Sequence, residues 1–435
     1  MFHKLRILFC MILCLAILTM PCSAMANGAA TFAGGFGTED DPWQIENAEQ
    51  FLAINKNLSA SYILIADIDL SGYHNPMIGT YVMDPESEEG EDPVPEMAFT
   101  GTFDGDNHTI SNINIDYSQD FEHIFGIGLF GCVASGGTVK NVTIQDMNVK
   151  GMMLVGGVVG YAFHCTVDNV DIISTDRNTV ESTMLMAGGV IGGLTCSECV
   201  NCDVENTDII AAPGGNSGIL GGGFSKPVLE NCTVTNCSLT ATLGEVPMFG
   251  IPEGQWIGGL TGCVNLDDYD PAEWYVNNCA VVDTKITVNG KGSFVGGLIG
   301  SCGVTLEDAE SPRLMIQGCR VENVEIVISD SIPNVGGFVG GGFTEGEEPR
   351  SFLIDGCEAS NVTVTTDSEN LEESATGLLI GMSHNDQFID ADGEVFHITD
   401  RTIEEEDINS SADVRILRAD GSVYVGATLV GSVLS

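Results

Sequence analysis

The sequence predicts an all-β protein, a right-handed parallel β-helix with a short N-terminal capping helix and a C-terminal β cap. Three observations predict it: a glycine-rich motif recurs along the chain, a cysteine-containing strand motif recurs between its copies, and no helical pattern separates the two. Successive glycine motifs close 29 to 41 residues apart, a period typical of repeat arrays. Strands recurring at this spacing without crossover helices are expected to wind into a solenoid whose coils bury their inner faces by stacking.

The glycine-rich motif is best represented by Val295-Gly296-Gly297-Leu298-Ile299-Gly300. Its apolar residues predict a short buried strand. Its glycines are expected where the backbone turns sharply or packs closely against the next coil. The closing glycines of the eight copies are Gly131, Gly160, Gly192, Gly221, Gly262, Gly300, Gly340 and Gly381.

The second motif reads Cys-x-Val-x-Asn, and its alternation of apolar and polar residues predicts a strand that is buried on one face. The asparagine breaks the alternation, as expected of a turn residue that tolerates left-handed backbone. Stacked one per coil, the cysteines would form an inward ladder of small apolar side chains, and reduced packing is favoured over disulfides because parallel side-chain vectors suit that bond poorly. The predicted ladder comprises Cys165, Cys202, Cys232, Cys279, Cys319 and Cys357.

The N-terminus has the pattern of a secretory signal peptide. Lys4 and Arg6 precede an apolar run, and Ala24-Met25-Ala26 forms a small-residue cleavage site. An uncleaved anchor helix is the alternative, although the run is short for spanning a bilayer. Asn47 and Gln50 predict the start of a capping helix. The predicted organisation is a signal peptide over 1–26, an N-terminal cap over 27–60, a β-helix over 61–387 and a C-terminal β cap over 388–435.

The mature chain is strongly acidic. Without residues 1–26 it carries thirteen Lys and Arg against 62 Asp and Glu, a net charge of −49. Repulsion excludes nucleic acid as a partner. Attraction of cations and adaptation to high salt would both explain this charge.

The blocks GTEDDPWQIENAEQFLAI, ADIDLSG and FTGTFDGDNHTISNI, followed by GLFG and repeated GGLIG, resemble the GLUG-repeat proteins over roughly residues 34–381. The resemblance implies a secreted or cell-surface β-helix, and the motif also occurs in adhesin-like proteins and in non-catalytic regions of immunoglobulin A-cleaving metallopeptidases. The zinc-binding H-E-x-x-H string of those peptidases is absent from this sequence.

The later repeats carry acidic insertions between the closing glycine and the next cysteine. In stacked coils they would lie at one corner and form an acidic edge. This edge is either a solvated surface or a binding face for divalent cations, calcium above all, or for a basic partner. The candidate metal-binding residues are Asp267, Asp268, Asp270, Glu307, Asp308, Glu345, Glu347 and Glu348.

Other candidate sites are weaker. Cys196, Cys199 and Cys202 form C-x-x-C-x-x-C but lack the second ligand set that a zinc site needs. Asp67 and Asp69 could pair as catalytic acids, yet they belong to the predicted first coil. The aromatic residues that could stack on sugars, or pack at corners instead, are Trp256, Tyr269, Trp274 and Tyr275.

Export, repeats and the lack of a convergent catalytic set predict a secreted or cell-surface binding or adhesion module that is not an enzyme. No catalytic residue and no cofactor is expected, with calcium at the acidic edge as the alternative. The expected partner is a host or matrix protein or a glycan, and no transmembrane span is expected after signal cleavage. A polysaccharide-degrading β-helix enzyme and a structural matrix protein remain alternatives.

Overall fold

In a computed structural model, most of the described chain forms parallel β-strands stacked coil on coil. The structure describes residues 31–81, 97–119, 124–211, 215–242, 255–266, 274–289, 293–304, 314–329, 334–344, 350–366, 376–382, 386–389, 395–397, 411–418, 422 and 428–430. The chain divides into two units, 1–31 and 32–435, and the fold below is that of the second. The predicted signal peptide lies outside the described residues.

The N-terminal part contains the helices and the first coils. Asn47 caps the helix as predicted, because its Oδ1 accepts a hydrogen bond of 3.0 Å from the Gln50 amide. The Gln50 side chain in turn accepts one of 2.8 Å from the Glu46 amide. The elements are β1 Trp43–Ile45, α1 Ala48–Leu52, a 3-10 helix Ala53–Lys56, β2 Ser61–Leu64, β3 Ile68–Asp69, β4 Thr102–Asp104, β5 Thr109–Asp116, β6 Gly126–Ile127 and β7 Phe130–Ala134.

The repeats follow without an intervening helix among the described residues. Their strands are β8 Thr138–Gly151, β9 Leu154–Gly156, β10 Val159–Phe163, β11 Thr166–Ile173, β12 Asn178–Ser182, β13 Met186–Gly188, β14 Ile191–Thr195, β15 Glu198–Val200, β16 Asp203–Glu205, β17 Thr207–Ala211, β18 Ser217–Gly218, β19 Gly221–Ser225, β20 Val228–Glu230, β21 Thr233–Thr235, β22 Ser238–Thr242, β23 Gln255–Gly258, β24 Thr261–Leu266, β25 Tyr275–Asn277, β26 Ala280–Val282, β27 Lys285–Asn289, β28 Ser293–Gly296, β29 Ile299–Val304, β30 Leu314–Gln317, β31 Arg320–Glu322, β32 Glu325–Ser329, β33 Asn334–Gly336, β34 Val339–Thr344, β35 Arg350–Asp355, β36 Glu358–Thr366 and β37 Thr376–Met382.

One coil illustrates the architecture. β15, β16 and β17 lie in a 25-stranded sheet, and β18 and β19 lie in a 16-stranded sheet. Each pairs in parallel with the equivalent strand one coil later, as β16 does with β21. Every wall is therefore a ladder running from coil to coil, and the prediction of a parallel β-helix is confirmed.

Inward-facing residues of equivalent strands form columns through the core. One column contains Val204, Val234, Val281 and Val321, which are all at most 1% exposed and stack by strand register. The alternation predicted from the sequence places these side chains on the inner face. Each coil buries its apolar face only against its neighbours, as in other solenoids.

Each glycine-rich motif forms a bend between two strands of the 16-stranded sheet. A Cβ at Gly156 would lie 2.0 Å from the Val159 carbonyl oxygen across the bend. A Cβ at Gly160 would lie 2.2 Å from the Ile127 amide nitrogen of the preceding coil. The motif is thus two short strands and a bend, and close packing is what requires glycine.

The corners of the 25-stranded sheet are left-handed bends occupied mostly by asparagine. The asparagine prediction is confirmed: Asn206 has φ 53° and Asn236 has φ 52°. The residue before the motif cysteine forms a second bend of the same kind, with Asn201 at φ 53° and Asn231 at φ 55°. The Asn231 side chain donates to Asn201 Oδ1 at 3.1 Å, tying one coil to the next. A short polar side chain lowers the cost of this backbone region, which explains the residue preference.

The C-terminal strands are β38 Asp386–Ile389, β39 Val395–His397, β40 Ser411–Arg418 and β41 Thr428–Val430. β38 and β39 pair antiparallel. β40 pairs in parallel with β36, and β41 with β37, so both continue the stack.

Candidate functional site

The acidic insertions leave and rejoin three successive coils at matched positions. The outgoing strands β24, β29 and β34 are in register, with Leu266 opposite Val304 and Val304 opposite Thr344. The returning strands β25, β30 and β35 are also paired in parallel. Segments 267–273, 305–313 and 345–349 therefore connect equivalent strands at one corner of the fold, which we call the insertion corner.

The same corner is tight in the preceding coils. The chain there turns through one left-handed residue and enters the next strand two residues later. His164 and Lys226 have φ of 48° and 49°. Lys226 is the last of the left-handed bends described at this corner, and its amide donates to the Asn265 carbonyl of the coil where the insertions begin, at 2.8 Å.

The eight acidic residues predicted as metal ligands lie outside the described residues, so cation binding at them stays a prediction. They are Asp267, Asp268, Asp270, Glu307, Asp308, Glu345, Glu347 and Glu348. The three segments together hold ten Asp and Glu among 21 residues, with Arg313 the only basic residue. The three segments that join strands at the insertion corner are therefore strongly acidic in composition.

Several basic residues of the described walls form ion pairs with acids of the same walls. Lys150 Nζ lies 2.7 Å from Glu181, Arg177 2.6 Å from Asp208 and Lys285 2.9 Å from Glu325. Exposed pairs of this kind each contribute little to stability. These basic groups neutralise acids of the same walls. They therefore do not neutralise the other acidic residues of the chain.

One pair of wall carboxylates is stacked. Asp171 and Asp203 face each other on neighbouring strands. Burial, and then the charge of Asp203, raise the pKa of Asp171. Burial also raises the pKa of Asp203. Two like charges on neighbouring strands repel each other, so ionisation of both carboxyl groups destabilises the folded state.

The cysteine ladder contains five residues and not six. Cys202, Cys232, Cys279, Cys319 and Cys357 occupy one inner column by strand register and are at most 2% exposed. Cys165 lies in another column, where its amide donates to Ser197 Oγ at 3.1 Å. The true equivalent in its coil is Val170. The strands before and after each asparagine corner both bury every second residue. Because of this shared alternation, the sequence pattern alone aligned Cys165 with the wrong strand of the repeat.

The described cysteines are in the thiol form, and reduced packing of the ladder stays a prediction. Burial raises the pKa of Cys165, Cys237 and Cys263 to about 12 in each case. Since the thiolate is the reactive form, such thiols are poor nucleophiles at neutral pH. They therefore pack as small apolar side chains.

Three thiols nevertheless converge. The Sγ atoms of Cys199, Cys202 and Cys232 all lie within 4.8 Å of one another, and the three residues are fully buried. Cys196, the first cysteine of the C-x-x-C-x-x-C motif, is not part of this set. It lies half-buried at the tight corner with φ 48°. Sequence spacing identified two of the three residues, whereas Cys232 comes from the next coil.

Asp67 and Asp69 serve local structure in the first coil. Asp67 Oδ1 lies 3.1 Å from His108 Nδ1 and accepts from the Thr109 amide at 3.0 Å. Asp69 Oδ1 accepts from Asn112 Nδ2 at 2.9 Å. These hydrogen bonds lower the pKa of both carboxyl groups. Neither carboxyl group has the raised pKa of a general acid.

The aromatic candidates divide by burial. Trp274, at the end of the first insertion, is 8% exposed and packs into the core, as the corner-packing alternative predicts. Tyr275 is half-buried, and its hydroxyl lies 3.4 Å from Glu230 Oε2. Trp256 is half-buried on β23, and Tyr269 lies outside the described residues.

No family model matches the chain. Residue matches to known proteins cover about a third of it. One stretch is 34% identical over 167 residues to halomucin of Haloquadratum walsbyi, covering 37% of this chain and 2% of halomucin. Another is 29% identical over 151 residues to a proposed Gly-rich membrane protein of Evansella cellulosilytica, covering 33% of this chain and 16% of that protein. The GLUG resemblance stays a prediction.

Two solved structures are similar in fold. A proposed immunoglobulin A1 protease from Bacteroides ovatus matches at a TM-score of 0.34 and 15% identity, over 90% of this chain and 88% of that one. An IgA1 protease matches at 0.31 and 13%, over 86% of this chain and 23% of that one. The prediction that the chain is not an enzyme is wrong against this comparison, because both structures are described as proteases. Absence of catalysis is therefore not proposed below, and likeness at this level does not transfer an activity.

Proposed function

We propose that this chain is a secreted or cell-surface binding module whose insertion corner binds divalent cations or a basic partner. One observation carries the proposal: three successive coils open at register-matched positions, and the segments inserted there are acidic. Insertions on one face of a repeat protein often mark its binding face.

The charge balance favours a cationic ligand. Ten carboxyl groups within 21 residues exceed what the single Arg313 can neutralise. Calcium prefers several oxygen ligands in flexible geometry, and extracellular modules bind it with dissociation constants of about 10⁻⁴ to 10⁻³ M. A basic protein segment would be attracted by the same field.

Location outside the cell rests on the predicted signal peptide and on the similarity to a proposed membrane protein. None of the helices in the described part of the chain has the length and apolar character of a membrane span. The GLUG resemblance supports the same setting and an adhesive role toward a protein or glycan.

The first test is calcium titration of the mature protein by calorimetry and thermal melting. We expect heat release and a higher melting temperature at millimolar calcium. The combined variant Asp267→Asn, Asp268→Asn, Asp270→Asn should weaken both signals.

The matched control neutralises three exposed acids on the walls: Glu198→Gln, Glu205→Gln and Glu358→Gln. It should leave the calcium signal unchanged. Equal loss in the control would show that calcium only screens net charge. Absence of any signal in the unaltered protein would exclude the calcium site.

The partner is sought by screening glycans and matrix proteins with and without calcium, and each ligand is then assayed for cleavage. Calcium-dependent binding that the corner variant loses supports the module. If the variant with the three Asp→Asn changes still binds the ligand, the ligand binds at a site other than the insertion corner. Turnover of a bound ligand would establish an enzyme in place of a binding module.

A further inference from the structure

The three-thiol cluster of Cys199, Cys202 and Cys232 is separate from the insertion corner and from the function proposed for it. Cys199 belongs to β15, Cys202 directly precedes β16, and Cys232 stacks on Cys202 from the next coil. All three side chains are fully buried, and their sulfurs lie within 4.8 Å of one another.

The asparagine corner creates this convergence. Asn201 turns the chain in left-handed conformation between Cys199 and Cys202, so both inner-facing side chains point to the same part of the core. The equivalents of Cys199 in the neighbouring coils are Val167 and Leu229, by the pairing of β15 with β11 and β20. Three thiols therefore meet here, while the described coils on either side place an aliphatic residue at that position.

The ligand chemistry identifies a class of ion. Thiolates select soft ions such as Cu(I), whereas calcium and magnesium require oxygen ligands. A zinc centre would need a fourth ligand, and the cluster has three. Three sulfurs around one ion, with bonds of about 2.3 Å as for zinc thiolates, would lie about 4 Å apart in trigonal geometry. The observed separations need adjustments of less than about 1 Å to reach this.

We propose that Cys199, Cys202 and Cys232 bind one soft monovalent cation of the Cu(I) type as a trigonal sulfur site inside the β-helix. In the structure, Cys202 Sγ donates to the Val200 carbonyl at 3.2 Å, and Cys232 Sγ donates to the Cys199 carbonyl at 3.3 Å. Each sulfur that bonds the ion releases its proton to solvent. The copper stays Cu(I) throughout, so no oxidant or reductant is consumed.

The test uses the reduced mature protein under anaerobic conditions. Cu(I) is supplied as its acetonitrile complex in competition with a chromophoric Cu(I) chelator. We expect one equivalent of Cu(I) to be withdrawn from the chelator, accompanied by ultraviolet thiolate-to-copper absorption and luminescence. Cys199→Val, which introduces the residue type found at Val167 in the preceding coil, should abolish that equivalent while circular dichroism and the melting temperature stay close to those of the unaltered protein.

Two further variants make the test specific. Cys237→Thr removes another buried thiol and inserts the residue type of its column neighbours Thr207 and Thr284, so it should keep the bound equivalent. Val276→Cys adds a thiol at the equivalent position beside Cys279 and Cys319, and should create a second equivalent. If Cys199→Val does not fold, Cys202→Val replaces it in the same assay, because valine already occupies that column at Val170.

Several results would overturn the proposal: no competition with the chelator, an equivalent that survives in Cys199→Val, or equal loss in Cys237→Thr. Preference for zinc over Cu(I) would also overturn the assignment of the ion. So would a disulfide located by mass spectrometry among these three cysteines in the exported protein, because oxidised sulfurs cannot act as thiolate ligands.

Discussion

Two kinds of corner in the same solenoid differ in how they tolerate change. At the asparagine corners, left-handed residues recur coil after coil, and side-chain amides link them, as from Asn236 to Asn206 and from Asn361 to Asn323. At the insertion corner, the left-handed residue in three successive coils is His164, Cys196 and Lys226. In the next three coils, acidic segments are inserted at this corner.

The difference shows that a left-handed bend alone does not fix a corner. Both corners use the same backbone region, at φ of roughly 50°. The asparagine corners add a hydrogen bond between side chains of successive coils, which an insertion would break. The other corner uses residues of unlike chemistry, and there an insertion leaves both flanking ladders in register.

The largest loss of stability is expected at the glycine bends of the 16-stranded sheet. Along each coil, these bends lie between the asparagine corners and the insertion corner. Gly160→Ala should destabilise the fold by about 3 kcal/mol or more, because its Cβ would lie 2.2 Å from the Ile127 amide of another coil. Gly136→Ala is the matched control, since its Cβ meets nothing within 4 Å and only the φ of 85° is strained. That control should cost about 1–2 kcal/mol. Equal urea midpoints for the two variants would contradict the close-packing explanation.

The next effect tests the asparagine ladder. Asn231→Ala should cost about 1–2 kcal/mol, because it strains the left-handed backbone and removes the donor to Asn201. Asn231→Gly should cost less than about 1 kcal/mol, since glycine adopts this backbone freely and already occupies the column at Gly318 and Gly356. Urea unfolding measures both. A glycine variant less stable than the alanine variant would show that backbone conformation is not the cause.

A smaller effect concerns the stacked carboxylates of the wall. The pKa of Asp171 is raised in the folded state, mainly by burial. The folded state therefore binds its proton more tightly than the unfolded chain, and stability is lost as pH rises from the unfolded pKa of about 4 through the folded value. Asp171→Asn should raise the melting temperature at neutral pH and have no such benefit in acid. A constant difference across that pH range would contradict the prediction.

The smallest effect is expected at the insertion corner. Replacing 267–273 by a short Gly-Ser link should change stability by less than about 1 kcal/mol, because loop length affects closure entropy only weakly. The proposed calcium response should fall in the same protein. The same link in place of 145–146, at the left-handed bend of Asp146 (φ 55°) in the 25-stranded sheet, should cost much more, because it removes the carboxylate that accepts from Ser174 Oγ at 2.9 Å in the next coil. Equal losses of stability at both places would remove the distinction between the two corners.

The sequence was sufficient for the fold because the period and the alternation act locally. The glycine motifs, the asparagine bends and the Asn47 cap each specify backbone geometry within a few residues, and all are found where they were predicted. Strand register between coils is not local. Cys165 was therefore placed in the wrong column, and its true equivalent Val170 became clear only from the pairing of β11 with β16.

The candidate sites were harder to predict for the same reason. Cys199 and Cys202 are close in sequence, but Cys232 joins them only because β21 stacks on β16. Cys196 shares the sequence motif, yet the corner at φ 48° separates it from the cluster. At the insertion corner, the spacing between the closing glycine and the next cysteine predicted the shared position of the segments, and the paired flanking strands agree with it.

The in-register ladders also determine how this protein would bear a load. Interstrand hydrogen bonds run from coil to coil, so tension between the first and last coils pulls on them in series and opens one rung at a time. Each opened rung frees a coil of 29 to 41 residues while the remaining coils keep their neighbours. A protein built this way is expected to yield in small steps and to lengthen under tension, instead of failing as a single block.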